Sequence, residues 1–529
     1  MSPNAQKYIL AIDLGTSGPK VALISMHGKI AGSEFEPVQL FLLPNGGAEQ
    51  DPLEWWTAIK KAAQRLLARK LVPQDDIVAV SCTTQWSGTV AVDSQGSPLM
   101  NAIIWMDARG APYIQEIVGG TLKIGGYAID KLLTWIRLTG GIPGHAGKDP
   151  IAHILFIKNV FPDIYQRTYK FLEPKDYINL CLTGKFCASY DSIALHWLAD
   201  IRDLERVTYD DRLIELSEID RQKLPDLKRA VDILGTLRPD VASELGLSEN
   251  TQVVMGTPDV HSAALGSGAA CDFEAHLYIG TSSWLACHVP FKKTDVVHNI
   301  ASLPSAIPLK YLVSNEQQSA GACLTYLRDN LHFPSPDLLA AESSGDAYQD
   351  FDRIAEGISP GSQGLIFTPW LNGERTPVDD RFARGVFFNQ SLRSTQAHFI
   401  RSVFEGVAYN TRWLLGYVEK FTGRRLDPIN MVGGGAVSDI WCQIHADVLG
   451  RTIRQVEDPI LVNTRGAAFL ASAALGYTSF DEISEHVPIK ASYQPNPENQ
   501  QIYEPLYHEF VNLYGLGRKM FARLNAPRR

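Results

Sequence analysis

The sequence predicts an α/β protein with two related domains that face each other across a cleft. In both halves of the chain, short β-type runs separated by glycine-containing turns alternate with segments of helical periodicity. A strand that ends in a Gly-Thr-Ser turn occurs at Ile12–Ser17 and again at Tyr278–Ser282, and a further strand follows each turn. Such a repeat indicates two domains of one kind. A chance similarity of two short turns is the alternative.

The first hundred residues predict a β-meander, one helix and two further strands. Glycine-containing turns separate the first three β-type runs. The helix covers Pro52–Lys70, where apolar residues recur at helical spacing. The predicted strands are Tyr8–Ile12, Lys20–Ile24, Lys29–Ser33, Ile77–Cys82 and Thr89–Val92.

The second half of the chain predicts the same alternation of strands and helices. An amphipathic helix is expected to close the chain from about Asn499. We place the domain boundary after Gly256, which gives domains of residues 1–256 and 257–529. The strands predicted around this boundary and beyond it are Val253–Gly256, Leu277–Ile279, Trp284–His288 and Asn430–Val432.

Composition and charge restrict the class of partner. Lysine and arginine together number 49 against 58 aspartates and glutamates, for a net charge of −9. This balance gives no basic field for nucleic acid or for an anionic membrane. No apolar run reaches the length of about 20 residues that spans a bilayer, and the polar N-terminus is not a signal peptide. We therefore expect a cytoplasmic protein with a small-molecule partner.

Two Gly-Thr-Ser turns are candidate phosphate sites. Glycine lets a ligand approach the backbone closely, and consecutive N–H and hydroxyl groups then point into one concavity. Two such turns in facing domains could hold a polyphosphate between them. The residues concerned are Gly15, Thr16 and Ser17 in the first turn and Gly280, Thr281 and Ser282 in the second.

Two aspartates follow buried strands at positions suited to chemistry. Asp13 precedes the first turn, where a carboxylate needs a cation or a hydrogen-bond donor. Either Mg²⁺ or the backbone of an Asx-type turn would satisfy it. Asp259 follows the predicted strand that ends at Gly256, where it could act as a general base or cap the next helix. The sequence pattern leaves both pairs of alternatives open.

A glycine run in the second half is the remaining candidate site. It follows a strand and precedes a helix, so the base or ribose of a nucleotide could lie against bare backbone. A tight packing turn is the alternative. The chain lacks a Walker-type phosphate loop, a His-Glu-x-x-His zinc motif and a Gly-x-Ser-x-Gly nucleophile motif. The residues of this run are Gly433, Gly434, Gly435, Ala436 and Ser438.

These segments, in this order, resemble the FGGY family of carbohydrate kinases over nearly the whole chain. The stretch Glu173–Tyr177, followed by Leu182–Gly184, is closest to the xylulokinase branch. The segments that carry the family resemblance are Ile12–Lys20, Gly256–Asp259, Ile279–Ser282, Gly373–Pro377 with Arg384 and Gly385, and Gly433–Trp441.

The resemblance implies a fold and a reaction. The family has two actin-like, ribonuclease H-like domains that face each other across a nucleotide and sugar cleft. It uses ATP and Mg²⁺ to phosphorylate a small sugar or polyol, with neither nucleic acid nor membrane as partner. Dimers are common in the family, so a homodimer is one expected assembly.

The resemblance also assigns roles to residues of this chain. Asp259 would deprotonate the sugar hydroxyl, and Asp13 and Asp259 would hold Mg²⁺. The two Gly-Thr-Ser turns would contact the ATP phosphates, and the glycine run with Ser438 would contact the adenosine. Sugar contacts would come from Gln85, Trp86, Asp107, Arg109 and Asp259.

The sequence departs from the xylulokinase pattern at the acceptor pocket. It reads Gln85-Trp86-Ser87-Gly88 where that branch has Gln-Met-His-Gly, and Val260 replaces an Asn after the catalytic Asp. Both changes remove hydrogen-bonding groups, and an unpaired substrate hydroxyl costs about 1–3 kcal/mol. A ketopentose such as xylulose is the first expected acceptor. Ribulose, a pentitol, erythritol and glycerol are the alternatives.

Two other functions are compatible with the same fold. One is a catalytically inactive nucleotide-binding regulator, which would have little use for Asp13, Asp259 and both phosphate turns. The other is an ATPase that acts on a protein client, which would leave the segment Gln85–Arg109 without a purpose. Fold analogy does not separate these functions, so the site must decide.

Overall fold

The computed structural model describes residues 6–331 and 346–526. Its first large sheet contains the predicted β-meander. Tyr8–Gly15 pairs antiparallel with Gly18–Ser25 and parallel with Ile77–Thr84, so the first Gly-Thr-Ser turn joins two central strands. In spatial order the strands are Ile233–Thr236, Gln252–Val254, Ile77–Thr84, Tyr8–Gly15, Gly18–Ser25 and Ile30–Phe35.

The second large sheet repeats this central arrangement. Ala275–Ile279 pairs antiparallel with Ser283–Val289 and parallel with Ile429–Val432, and the second Gly-Thr-Ser turn joins the antiparallel pair. The similarity predicted from two short turns is therefore a similarity of supersecondary structure. In spatial order the strands are Thr294–Asp295, Ile300–Pro304, Tyr311–Ser314, Ser283–Val289, Ala275–Ile279, Ile429–Val432, Ile453–Val456 and Ile489–Tyr493.

Short strands form small sheets around the two large ones. Most of them belong to the first half of the chain, on the side of the predicted acceptor segment. Their bounds are Phe41–Leu42, Ala48–Gln50, Val90–Val92, Ala102–Ile103, Lys123–Ile124, Tyr127–Ala128, Lys170–Leu172, Cys187–Ser189, Ala199–Asp200, Thr208–Tyr209, Asp226–Lys228, Ile366–Thr368 and Val386–Phe388.

Helices cover the faces of both sheets, which gives the predicted α/β class. The helix expected over Pro52–Lys70 runs over Pro52–Ala68, with Asp51 accepting the amide of Leu53 at its N-cap. No helix within residues 6–331 and 346–526 has the length and apolarity to cross a membrane. The α-helices are Pro52–Ala68, Ala111–Val118, Ile129–Thr139, Pro150–Val160, Pro162–Arg167, Pro174–Thr183, Asp211–Ser217, Pro239–Leu245, Asp259–Gly266, Gly321–Tyr326, Ala347–Glu356, Gln396–Thr422, Asp439–Leu449, Val462–Ala474, Ile483–His486 and Pro497–Asn525.

Two helices cross between the halves of the chain. We call Asp259–Gly266 the base helix and Val462–Ala474 the crossing helix. Alanines of the crossing helix, including Ala467 and Ala471, pack in one cluster with Ala11 of the first sheet, although the helix lies late in the sequence. The domain boundary after Gly256 stays a prediction.

The base helix and the crossing helix contact each other through glycine. A Cβ atom on Gly266 would lie 1.9 Å from the carbonyl oxygen of Val462, and one on Gly466 would lie 1.8 Å from that of Ser262. No real side chain tolerates such distances, so only glycine allows the two backbones to touch. This contact fixes the distance between the two helices, and Asp259 lies at the N-terminal end of one of them.

Candidate active site

Asp259 is the first residue of the base helix. Pro258 occupies the N-cap position, and Asp259 accepts the amide of Val260 through Oδ1 at 2.9 Å. The carboxylate therefore does not cap the helix in the usual way, and its Oδ2 atom has no hydrogen-bond partner in the described part of the chain. Burial, and after it the negative charge of Asp13, raise the pKa of Asp259 to about 7. A carboxyl group with this pKa can accept a proton from an alcohol near neutral pH.

The backbone before Asp259 is held tightly. Gly256 has a φ of 74°, and a Cβ atom there would lie 2.1 Å from the carbonyl oxygen of Cys82. Lys175 is fully buried and donates to the carbonyl of Met255 at 3.2 Å, while its ammonium also pairs with Asp176. This lysine lies in the segment that resembles the xylulokinase branch, but the sequence gives no sign that it supports the base.

A second buried contact supports the same segment. The hydroxyl of Thr257 donates to Oδ2 of Asp191, and both residues are fully buried. Asp191 lies far from Thr257 in the sequence, so local patterns do not indicate their contact. Together with Lys175, it leaves Asp259 little freedom to move relative to the first half of the chain.

Asp13 lies in the central strand Tyr8–Gly15 and is only 2% exposed. Its carboxylate accepts from the ammonium of Lys20 at 3.2 Å and from the amide group of Asn463 at 3.4 Å. Asn463 lies near the start of the crossing helix, 450 positions from Asp13. The strand before the first phosphate turn therefore meets the second half of the chain at this carboxylate.

The pair Asp13 and Asp259 fits a magnesium ion. The negative charge of Asp13 repels that of Asp259 and thereby raises the pKa of Asp259. A divalent cation would relieve this repulsion. Among residues 6–331 and 346–526, no group of three or more histidine, cysteine or acidic side chains forms a metal cage. Mg²⁺ commonly binds one or two carboxylates together with water and substrate phosphates, so two carboxylates suffice.

The two Gly-Thr-Ser turns expose different groups. Thr16 donates through its hydroxyl to Gln85 at 2.9 Å and accepts from the indole of Trp105 at 3.0 Å. In the second turn, the amide of Gly280 donates to the carbonyl of Ser282 at 2.9 Å, while Thr281 is exposed. The hydroxyl groups without a protein partner in the described structure are those of Ser17, Thr281 and Ser282. Phosphate contacts of both turns stay predictions.

The glycine run contains both packing glycines and an open one. A Cβ atom on Gly433 would lie 2.6 Å from the carbonyl oxygen of Ile279, and one on Gly435 would lie 2.4 Å from the side chain of Ile279. These two glycines allow the run to pack on the strand that leads into the second phosphate turn. A Cβ atom on Gly434 would meet no atom within 4 Å. Of the three glycines, Gly434 therefore has open space for a ligand beside it.

The residues after the glycines are bound within the protein. The carbonyl of Ala436 accepts from the amide group of Gln455 at 2.8 Å. Ser438 caps the helix Asp439–Leu449 by accepting the amide of Trp441, and its hydroxyl donates to Asp352 at 2.7 Å. A contact of Ser438 with adenosine would have to replace or share the bond to Asp352, and it stays a prediction.

An opening of about 650 Å³ lies between Val437, which follows the glycines, and the strands of the first sheet that contain Lys20 and Ser33. This volume lies within the usual range of small-molecule sites, about 300–1,000 Å³. Lys20, the partner of Asp13, lies at its edge. Its lining residues are Lys20, Ser33, Glu34, Phe35, Val437, Asp458, Pro459, Ile460 and Leu461.

Three of the residues predicted to contact the sugar have polar groups that are hydrogen-bonded within the protein. Gln85 donates to Gln50 at 2.7 Å and accepts from Thr16. Asp107 is fully buried and accepts from Arg109 at 2.9 Å, and Arg109 also donates to Glu49 at 2.6 Å. These bonds tie the acceptor segment to the first sheet and to a neighbouring strand. Direct sugar contacts of Gln85, Asp107 and Arg109 stay predictions.

Trp86 lies beside the base helix. Its indole N–H donates to the carbonyl of Ser192 at 2.8 Å, and its ring meets the edge of His261 with a centroid distance of 5.0 Å. His261 is two residues after Asp259 on the base helix. The structure therefore brings the acceptor segment and the candidate base together.

We expect the carboxylate of Asp259 to destabilise the unliganded protein at high pH. Its pKa is about 7 in the folded protein against an ordinary 3.8, so its contribution to stability is present below pH 4 and is lost as the pH rises through 7. Asp259→Asn should therefore melt at a higher temperature than the wild type at pH 8, and the difference should shrink at pH 4.5. Thermal melts without nucleotide or Mg²⁺ measure this. An equal difference at both pH values would contradict it.

Sequence comparisons identify the family. The description "FGGY family of carbohydrate kinases, N-terminal domain" matches residues 8–266, and the C-terminal domain of that family matches residues 276–475. A xylulose kinase of Staphylococcus epidermidis is 28% identical, over 98% of this chain and 99% of that protein. A gluconokinase of Bacillus subtilis is 26% identical, over 98% of this chain and 97% of that protein.

Solved structures agree with this assignment. A gluconate kinase from Lactobacillus acidophilus has a TM-score of 0.84 at 25% identity, over 98% of this chain and 100% of that one. A ligand-bound xylulose kinase from the same organism has the same TM-score, identity and coverage. The predicted family and the predicted two-domain α/β fold are confirmed. The chain belongs to the FGGY family of carbohydrate kinases and is an ATP-dependent sugar kinase.

Proposed function

We propose that the protein transfers the γ-phosphoryl group of ATP to a primary hydroxyl of a small sugar or polyol, with Asp259 as the general base. The observation that carries this proposal is the position of Asp259. The acceptor segment contacts the base helix through Trp86 and His261. The strand before the first Gly-Thr-Ser turn carries Asp13, whose negative charge acts on Asp259. A base must reach the acceptor hydroxyl while that hydroxyl lies near the γ-phosphate, and this position supports that role.

The transfer forms one bond to phosphorus and breaks another. Asp259 takes the proton of the acceptor hydroxyl, and the oxygen forms a bond to the γ-phosphorus. The bond from that phosphorus to the bridging oxygen breaks, and ADP leaves with the electron pair. Asp13 and Asp259 would hold Mg²⁺, which when bound supplies positive charge to the phosphate oxygens. Ser17, Thr281 and Ser282 would orient the phosphates, and Gly434 would lie beneath the nucleoside.

Two sets of observations bear on the chemical class of the acceptor. Val260 directly follows Asp259 and packs with one hydrophobic cluster, while Trp86 packs with another and contacts His261 of the base helix. Xylulose kinases among the relatives support a ketopentose such as xylulose. The relatives named gluconokinase or gluconate kinase support a sugar acid as the second candidate, because one of them matches this fold as well as a xylulose kinase does.

The experiment is ADP release by the purified protein with Mg-ATP and a panel of acceptors. The panel holds xylulose, ribulose, pentitols, erythritol, glycerol and aldonates, with an acceptor-free control for ATP hydrolysis. We expect one acceptor to raise ADP release well above that control, because a closed cleft excludes water. ADP release at the same rate with and without every acceptor would contradict the proposal.

A catalytically inactive regulator of the same fold is the alternative that the panel tests. It would bind ATP and release no ADP with any acceptor. The pKa of about 7 at Asp259 argues against it, because burying a carboxylate at this cost has no use in a protein that only senses nucleotide. A homodimer stays a prediction.

A further inference from the structure

Lys148 is a partly buried lysine whose ammonium has no partner within the described residues. Neither a hydrogen bond nor an ion pair of its Nζ atom occurs there. Other partly buried lysines are satisfied: Lys292 donates to the carbonyl of Ile136 at 2.8 Å, and Lys170 donates to that of Leu224 at 2.8 Å. A charge withdrawn from water without a partner is costly, which indicates that a ligand supplies the partner of Lys148.

The backbone of Lys148 is attached to the acceptor segment. The hydroxyl of Ser87 donates to the carbonyl of Lys148 at 2.9 Å. Ser87 follows Trp86, the residue that contacts the base helix, and has a left-handed φ of 67°. Lys148 is thus placed by the acceptor side of the cleft.

Two charged residues of the second half, Arg375 and Glu316, act electrostatically on Lys148 and pair with each other. Arg375 pairs with Glu316 across a short contact. Burial and then the positive charge of Arg375 lower the pKa of Lys148, whereas Glu316 opposes this shift. After burial and Asp13, Glu316 also raises the pKa of Asp259, so this ion pair is close to the base as well as to Lys148.

The carboxylate of Asp149, next in sequence, is not hydrogen-bonded to Lys148. Asp149 directs Oδ2 to the amide of Gly144 at 2.7 Å and to the indole of Trp197 at 3.0 Å. Its carboxylate lies beyond ion-pair distance of the Lys148 ammonium. Asp149 and Glu316 favour the charged form of Lys148, but neither accepts a hydrogen bond from its ammonium, whose donors are free for a ligand on the acceptor side within the described residues.

We infer that Lys148 binds a carboxylate at the end of the acceptor away from the reacting hydroxyl, so that the acceptor is a sugar acid. A sugar hydroxyl offers a hydrogen bond but no charge, whereas a carboxylate offers a charge-assisted bond of roughly twice the strength. This inference rests on the proposed function and deepens it. The phosphate of the nucleotide is the other anion in the cleft, but the link from Lys148 to Ser87 favours the acceptor.

The test compares acids with polyols of equal carbon number. The pairs are D-gluconate with D-glucitol and D-erythronate with erythritol, and D-xylulose is measured beside them. We expect kcat/KM for an acid to exceed that for its polyol by at least about 30-fold, as one charge-assisted hydrogen bond allows. Equal or better turnover of the polyols or of D-xylulose would overturn the inference and leave the kinase function standing.

Variants then attribute the preference to Lys148. Lys148→Met should lower kcat/KM for the acid about 100-fold, leave that for the polyol within about threefold and leave KM for ATP unchanged. Lys148→Arg should keep most of the preference. The control is Lys158→Met in the helix Pro150–Val160, which begins two residues after Lys148, where the ammonium donates to the carbonyl of Glu218.

Two further results would decide whether Lys148 binds the acceptor. A rise in KM for ATP in Lys148→Met, with an unchanged preference for the acid, would assign Lys148 to the nucleotide and overturn the inference. If no acceptor supports ADP release, the proposed function fails, and the inference is tested by binding alone. D-gluconate should then raise the melting temperature of the wild type but not of Lys148→Met or Lys148→Gln. The absence of any such stabilisation would overturn it.

Discussion

Asp259→Asn should lower kcat about 1,000-fold and leave ADP affinity within about threefold, since a positioned general base contributes 10²–10⁴ in rate. The asparagine side chain keeps the size of the carboxylate and its bond to the amide of Val260, but it cannot take a proton from the acceptor. The loss should therefore fall on the chemical step and spare the nucleotide. Because burial and Asp13 raise the pKa of Asp259, replacing it should also not weaken the fold.

Steady-state kinetics and calorimetric titration with ADP measure this pair of effects. Asp240→Asn is the matched control, because Asp240 is exposed and pairs with Arg238 at the surface. The control should keep kcat within about twofold, as expected for an exposed ion pair. Full turnover in Asp259→Asn would remove Asp259 from the role of base, and loss of ADP binding together with turnover would indicate a structural defect.

Gly466→Ala should destabilise the protein by about 3 kcal/mol or more, because inserting atoms into a closed contact forces backbone shifts. The added Cβ atom would lie 1.8 Å from the carbonyl oxygen of Ser262 and 3.0 Å from the amide nitrogen of Gly266. The crossing helix would have to move away from the base helix. Asn463, which donates to Asp13, lies one turn before Gly466 and would move with it.

Gly416→Ala provides the control for the same chemical change. Gly416 lies inside the helix Gln396–Thr422, and a Cβ atom there meets nothing within 4 Å. Alanine should therefore stabilise the protein there by about 0.5–1 kcal/mol. Urea unfolding of both variants measures the two free energies. A loss of less than about 1 kcal/mol in Gly466→Ala would contradict the close helix contact.

Local patterns were sufficient for the central strands of both large sheets, for the two Gly-Thr-Ser turns that join them and for the position of Asp259 after a strand. Each depends on periodicity or on a turn signature within a few residues. The helix Pro497–Asn525 follows the same rule, since its amphipathic pattern predicts it from about Asn499. The glycine run is a partial case. Its sequence could not separate packing from ligand binding, and the structure assigns packing to Gly433 and Gly435 and open space to Gly434.

Contacts between distant parts of the chain were beyond the sequence. Asn463 meets Asp13 because the crossing helix packs on the first sheet, and Asp191 meets Thr257 where the chain packs beside that same sheet; no local signal marks either pair. Lys148 was missed for a related reason. A lysine before a helix usually lies in solvent, and only the fold places it opposite Arg375 with no partner. The partners of Thr16 and Gln85 likewise come from tertiary packing.

The most direct test of phosphoryl transfer at Asp259 is ³¹P nuclear magnetic resonance of the reaction mixture, recorded for the wild type and for Asp259→Asn. With Mg-ATP and its preferred acceptor, the wild type should produce ADP and a phosphomonoester whose phosphorus couples to two equivalent or near-equivalent protons, as for a primary carbon. Asp259→Asn should leave the ATP signals unchanged over the same time. Inorganic phosphate as the only new product, or equal ester formation by the variant, would contradict the proposed function.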